Sequence, residues 1–350
     1  MRVLVCYTGG VGSQAVRLLL DHPDHQLVGV LVHSSDKAGR DVGDLVGRPT
    51  VGITATRDVD ELVAMRADCV LWHGAAWEPD IVAAFLRAGS NVYTGTAIFE
   101  VPLAEDELLM AACREGRSSL VSGGNIPGLI SDVLPLFLSG YSGRVKKIRA
   151  TQRNHVADYP SAQQLSMYLS IGTPIEQARQ SSIVDDVWLR AQRDSARLVA
   201  AGLGIDYGDT VITEKEHALA HSDLVLQASG LNVSAGAVAG IRWTFSSHAV
   251  DGHPFLEVIN EQTAALGLGP GWRQDIDDPN WRINIEGTPS IECQLSLGLD
   301  GDAETDPSTA LNAARGVNFI PQLVAAEPGW TSVLTIPAPR GTAVTRGSIR

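Results

Sequence analysis

Arg2-Val3-Leu4-Val5-Cys6-Tyr7-Thr8-Gly9-Gly10-Val11-Gly12 decides the fold. A short apolar run ends in a glycine-rich turn, and helical periodicity takes over from Gly12 to Asp21. Strand, tight turn and helix in that order open a βαβ nucleotide-binding unit. Backbone N–H groups at the helix start hold a pyrophosphate there, and the glycines let it come close. Against G-x-G-x-x-G, Gly9 and Gly12 hold the second and third places and Tyr7 the first. Thr8, Gly9, Gly10, Val11 and Gly12 are the expected cofactor contacts of this turn.

The next strand, residues 26–33, runs into His33-Ser34-Ser35-Asp36-Lys37, with Arg40 close behind. An acidic residue here binds a ribose 2′-hydroxyl and repels a 2′-phosphate, whereas hydroxyl donors and cations suit the phosphate. Ser34, Ser35, Lys37 and Arg40 therefore point to NADP, with His33 a further expected cofactor contact, and Asp36 keeps NAD open. Further strands at residues 68–73, 91–93 and 118–121 alternate with helical patterns at 58–65, 78–88 and 104–115, the sequence of a doubly wound parallel sheet. Ligands bind at the carboxyl ends of such strands. This adds His73, Gly74 and Thr94, together with Asn125 and Pro127 of the Gly-Gly-Asn-Ile-Pro-Gly loop, to the expected cofactor site.

The pattern changes near residue 140. A strand at 144–153, helices at 161–171 and 174–201, and long alternating runs at 236–250, 255–259, 281–287 and 292–299 read as an α+β, mostly antiparallel second domain. A helix at 307–325 and an apolar strand near 331–336 follow. The expected layout is a Rossmann domain over 1–140, an α+β second domain over 141–305, and a C-terminal helix and strand over 306–350.

Composition narrows the partners. Among 350 residues, 27 Lys and Arg face 40 Asp and Glu, a net charge of −13. Nucleic acid and anionic membranes need clustered cations, so a small-molecule substrate is expected instead. No apolar run reaches the roughly 20 residues that span a bilayer, and no signal-peptide core opens the sequence. Four scattered cysteines read as reduced thiols of a cytoplasmic protein. His217 and His221 share one face if Glu214–His221 is helical, yet lack the general-base placement of a zinc-protease motif, so no metal site is expected.

Tyr7–Gly12, Val32–Asp41, Gly124-Asn125-Ile126-Pro127-Gly128, Trp281–Pro289 and Asn312-Ala313-Ala314-Arg315-Gly316-Val317-Asn318-Phe319-Ile320-Pro321 together resemble the dihydrodipicolinate-reductase-like superfamily. Within it, the branch of 2,4-diaminopentanoate dehydrogenases and native amine dehydrogenases is nearest. The resemblance implies a homodimer, hydride transfer between NAD(P)H and a C=N or C=O carbon, and a returning helix that brings Asn318 near the nicotinamide. Gln152, Arg153 and Val156 stand where dihydrodipicolinate reductases carry His, His and Lys, which speaks against the lysine-pathway reaction. Ala97 and Ile98 fall at the acidic places of amine dehydrogenases, with Glu100 close by.

Hydride transfer needs positioning and a proton donor or charge partner at the substrate heteroatom. Glu100, Asn154, His155 and Tyr168 are the catalytic candidates. A carboxylate between Phe99 and Val101 can act as an acid or attract an iminium. Two other readings compete with an amine dehydrogenase or imine reductase. One is an ammonia-independent ketone or aldehyde reductase, suggested by Ala97 and Ile98. The other is a catalytically idle dinucleotide sensor, suggested by Tyr7.

Overall fold

A computed structural model describes residues 1–74, 76–95, 103–125, 127–298 and 305–341. Contacts divide the chain into one unit of Met1–Asn125 with Pro307–Arg350 and a second of Ile126–Asp306.

The first unit alternates strand and helix: β1 (Arg2–Cys6), α1 (Gly10–Leu20), β2 (Gln26–Leu31), α2 (Val42–Leu45), α3 (Val59–Ala64), β3 (Cys69–Trp72), α4 (Pro79–Arg87), β4 (Asn91–Thr94), α5 (Leu103–Gly116) and β5 (Ser119–Ser122). In the second unit come α6 (Val133–Ser139), β6 (Val145–His155), α7 (Ala162–Leu169), α8 (Ile175–Gln180), α9 (Ser182–Leu203), β7 (Tyr207–Leu219), β8 (Leu224–Leu226), β9 (Leu231–Val233), β10 (Val238–Ala249), β11 (Pro254–Thr263), β12 (Trp281–Gly287) and β13 (Ile291–Leu295). The chain then re-enters the first unit with α10 (Pro307–Val324) and β14 (Gly329–Trp330).

All strand pairs of the first sheet are parallel, in the order β14-β5-β4-β3-β1-β2. The alternation along β1 explains why it lies centrally. Val3 and Val5 face one core with Ala15, Val16 and Leu19 of α1 and Phe319, Ile320 and Leu323 of α10. Leu4 and Cys6 face the other, with Leu62, Val82, Phe85, Leu86 and Leu109. Each such buried aliphatic or aromatic side chain is worth roughly 1.5–3 kcal/mol, so β1 is fixed from both sides.

The second unit carries a mixed sheet, β13-β12-β6-β11-β10-β7, antiparallel except for the β11–β6 pair. Its buried face sets Trp281, Gln152, Asn260 and Trp243 in one row across four strands. Helix α9 covers this sheet, and Trp243 Nε1 donates to Asp185 Oδ1 of α9 at 2.9 Å. Burying Trp243 with its indole N–H satisfied ties helix to sheet without an orphaned donor.

Three local expectations are corrected. The helix expected over 174–201 is two, α8 and α9, meeting at Ser181, whose backbone is extended. Glu214–His221 is not helical. Residues 207–219 form the edge strand β7, pairing antiparallel with β10, so His217 and His221 share no helical face. The C-terminal strand is Gly329–Trp330, not 331–336; Gly329 N and Thr331 N donate to Ser118 and Leu120 carbonyls of the β5 region.

Candidate cofactor site

The first unit opens its site where β1 meets α1. Gly9 is the N-cap, no side chain caps the helix, and the first carbonyl used is that of Gly9, accepting from Ser13 N at 2.8 Å. The N–H groups of Gly10, Val11 and Gly12 thus have no acceptor within the helix, and the helix dipole adds positive potential. A Cβ on Gly9 would meet nothing within 4 Å, so the space before the turn is open, whereas a Cβ on Gly12 would fall on the Tyr7 carbonyl. The third glycine is therefore required by strand-to-helix packing.

Tyr7 leaves this turn clear. Its ring stacks on His33 at 3.6 Å between centroids, and its hydroxyl donates to Glu78 Oε2 at 2.7 Å. Burial, helped by that bond, pushes the Tyr7 phenol up, so it stays neutral. Lys37 turns toward the glycine-rich turn, its Nζ donating to Thr8 O at 3.0 Å and Thr8 Oγ1 at 3.2 Å. A cation thus stands beside the start of α1, where a phosphate is already favoured. His33, Ser35 and Arg40 are exposed and Ser34 is part-buried. The Ser34 carbonyl accepts from Lys37 N and Ala38 N, which folds the loop into a turn. Asp41 fastens the following segment by accepting from Gly43, Val51 and Gly52 N–H groups, and these bonds hold its carboxyl below the usual range.

The carboxyl ends of β3, β4 and β5 form the other half. His73 N donates to the Cys6 carbonyl across the β1–β3 switch. Its ring is part-buried, Nε2 is covered without a partner, and burial pushes its pKa down to about 4. A Cβ on Gly95 or Gly316 would press on this ring at 3.2 and 3.4 Å. The imidazole is thus a neutral packing element at pH 7, not a stored proton. Gly74 and Thr94 are buried beside it, with Thr94 O accepting from Gly123 N. Asn125 Nδ2 donates to Ser308 Oγ of α10 at 2.7 Å, while Oδ1 is buried without a partner. Asn318 is part-buried on α10. Pro127, part-buried, belongs by contacts to the second unit. Sequence reasoning passed over Arg315, on the same helix as Asn318, which is buried with Nε and Nη2 unpartnered among the described residues. The available signal was a lone cation in the apolar helix Asn312–Pro321.

Of the catalytic candidates, Glu100 lies outside the described residues. Asn154 and His155 end β6 in the second unit. His155 is part-buried with Nδ1 unpartnered; burial lowers its pKa, opposed by the charge of Asp158. Tyr168 stands exposed on α7, its carbonyl accepting from Trp188 Nε1. Among the described residues no group of three His, Cys, Asp or Glu could hold a metal, and no helix is long and apolar enough to cross a membrane.

An open glycine-rich helix start in a parallel sheet fits a dinucleotide, because the free N–H groups, the Gly12 packing and Lys37 match a pyrophosphate. With its relatives, it makes the chain an NAD(P)-dependent oxidoreductase. Residues 129–348 match the 2,4-diaminopentanoate dehydrogenase C-terminal domain family, to which the chain belongs. Residues 1–96 match the dihydrodipicolinate reductase N-terminus. An amine dehydrogenase of Streptomyces virginiae is 29% identical over 346 residues, covering 94% of each chain. A 2,4-diaminopentanoate dehydrogenase of Acetoanaerobium sticklandii is 23% identical, covering 97% of this chain and 94% of its own. In fold, the chain is similar to amine dehydrogenase from Mycobacterium smegmatis, with TM-score 0.79 at 19% identity over 98% of this chain and 97% of that one.

Proposed function

We propose that the chain is an NADPH-dependent amine dehydrogenase that interconverts a small ketone or aldehyde plus ammonia with the corresponding amine and water. The observation that carries the cofactor half is the open start of α1 with the Lys37 ammonium against Thr8. The family and the 29% identical amine dehydrogenase support the amine half. When bound, the dinucleotide supplies or accepts the hydride.

In this reading, Gly10, Val11 and Gly12 N–H groups and Lys37 hold the pyrophosphate, and Ser34, Ser35 and Arg40 receive the 2′-phosphate. Asn125, Thr94 and Asn318 bound the nicotinamide half. Glu100 carries the charge that attracts ammonium or iminium. His155, with a lowered pKa, serves as a neutral hydrogen-bonding group at the substrate heteroatom beside Asn154. Tyr168, exposed on α7, is the fourth candidate. The chain is proposed to act as a homodimer, which light scattering measures.

NADPH oxidation followed at 340 nm with a panel of small ketones and aldehydes, with and without ammonium, tests the proposal. Ammonium-dependent turnover is expected. Turnover indifferent to ammonium replaces the proposal with a ketone or aldehyde reductase.

A further inference from the structure

Among the described residues, Arg315 is a charge without a counter-charge. It sits on α10 at 9% exposure, and its Nε and Nη2 have no hydrogen-bond partner among the described residues. These two atoms form the side-on edge of the guanidinium, the edge that ordinarily grips a carboxylate. Among the described residues no carboxylate meets that edge. Its neighbours are Gly123, where an added Cβ would lie 3.4 Å from Nε and 3.7 Å from Nη2, the neutral Tyr93 hydroxyl, which the guanidinium reaches as a donor and which itself donates to Gly123 O at 2.6 Å, and the Phe319 ring at 5.7 Å. An unneutralised buried cation costs several kcal/mol. Folding retains it at the carboxyl ends of β4 and β5.

That location has an electrostatic consequence. The start of α1 takes the pyrophosphate and the end of β2 the adenosine ribose, so the nicotinamide half extends to the other side of the switch, over β3, β4 and β5. An oxidised nicotinamide ring carries a positive charge that the reduced ring lacks. A fixed cation in a poorly screened site raises the free energy of the first and leaves the second nearly untouched.

We propose that Arg315 is a specificity-determining residue for the redox state of the cofactor, weakening binding of the oxidised dinucleotide relative to the reduced one. It rests on the dinucleotide-dependent dehydrogenase reading above. In the reducing direction Arg315 hastens departure of the spent cofactor. In the oxidising direction it shifts the equilibrium on the protein toward the reduced form.

The test is binding, not turnover. The full-length chain is titrated with NADP⁺ and with NADPH, and separately with NAD⁺ and NADH, by calorimetry, for the wild type, Arg315→Met and Arg315→Lys. The wild type is expected to hold the reduced form more tightly. Arg315→Met shrinks the ratio of the two dissociation constants about tenfold, chiefly by tightening the oxidised form, which is the effect expected for two unit charges partly screened at nanometre range. Arg315→Lys, keeping the charge, stays within about threefold of wild type. Equal wild-type affinities for the two forms overturn the proposal without any variant, as does an unchanged ratio in Arg315→Met. Arg315→Gln gives the same readout should the Met variant not fold. Binding of neither form by the wild type would instead defeat the dinucleotide reading itself.

Discussion

Replacing His73 by Leu should remove a specific part of the acid sensitivity of this protein. In the folded chain the imidazole is held near 4 by burial, against an ordinary value of 6.5. Between those two values the unfolded chain takes up a proton that the folded chain refuses. This contribution is therefore harmless above pH 6.5 and grows as pH falls, until protonation of the native ring caps it near pH 4. At about 1.4 kcal/mol per pH unit, the whole window is worth about 3 kcal/mol. At pH 5 alone the cost is about 2 kcal/mol. The assay is urea unfolding at half-unit steps from pH 7.5 to pH 4.5, read as the wild-type loss minus the His73→Leu loss. That difference should open below pH 6.5 and reach about 2 kcal/mol by pH 5. Heteronuclear NMR of the His73 Cε1–H pair gives the pKa directly. Parallel acid loss in the two proteins, or titration of His73 above pH 6, would refute the reasoning. A neutral His73 also predicts that the pH dependence of turnover between pH 6 and 8 belongs to another group.

Gly12→Ala places a methyl on the Tyr7 carbonyl and should weaken NADPH binding about 100-fold, since overpacking of this kind costs roughly 1–3 kcal/mol or more; unchanged affinity by titration would show that the turn is not the cofactor's seat. Lys37 bonds to Thr8 whereas Arg40 is free in solvent, so Lys37→Ala is expected to weaken NADPH and NADH alike and Arg40→Ala only NADPH, as parallel fluorescence titrations will tell. In the second unit the fully buried Glu261 accepts from Arg273 N at 2.8 Å and pairs with Arg242 at 3.2 Å. Glu261→Gln removes the buried carboxylate of these bonds, although Arg242 keeps Glu216 at 2.6 Å, and should lower stability by about 2 kcal/mol, seen in thermal unfolding with cofactor affinity unchanged.

The first unit was legible because its signals are local. β1, β2 and β3 are short apolar runs, α1 and α4 each bury one apolar stripe, and the turn chemistry at Gly9–Gly12 is confined to four consecutive residues. Strand β7 was hidden for the opposite reason. As the edge of its sheet it carries Glu214, Lys215 and Glu216 in succession, charges that protect an edge from aggregation and also imitate a solvated helix. Lys215 looks like a surface residue in the sequence, yet its Nζ lies 2.8 Å from Asp185 of α9; only tertiary pairing reveals that. Tyr7 read as a defect in the glycine fingerprint. Its partners His33 and Glu78 stand far along the chain, and no spacing rule could have found them. Arg315 stands inside the Asn312–Pro321 motif, where nothing in the sequence marks it as buried; its burial is visible only once its surroundings are known.

The return of α10 to the first unit also bears on how the protein is made. Ser119 Oγ donates to the carbonyl of Glu327, 208 residues later, at 2.9 Å. On a ribosome, β1 to β5 emerge first and then wait while the whole of residues 126–306 is synthesised, for Ala313, Val317, Phe319, Ile320 and Leu323 of one core face come from α10. Contacts so distant in sequence close slowly, and a parallel sheet lacking one covering helix exposes apolar surface meanwhile. The second unit, contiguous in the chain, can fold in that interval. The nucleotide-binding half is therefore the last to mature although it is the first to be translated, and nascent chains stalled before residue 307 should depend on chaperones in a way that chains released after residue 330 do not.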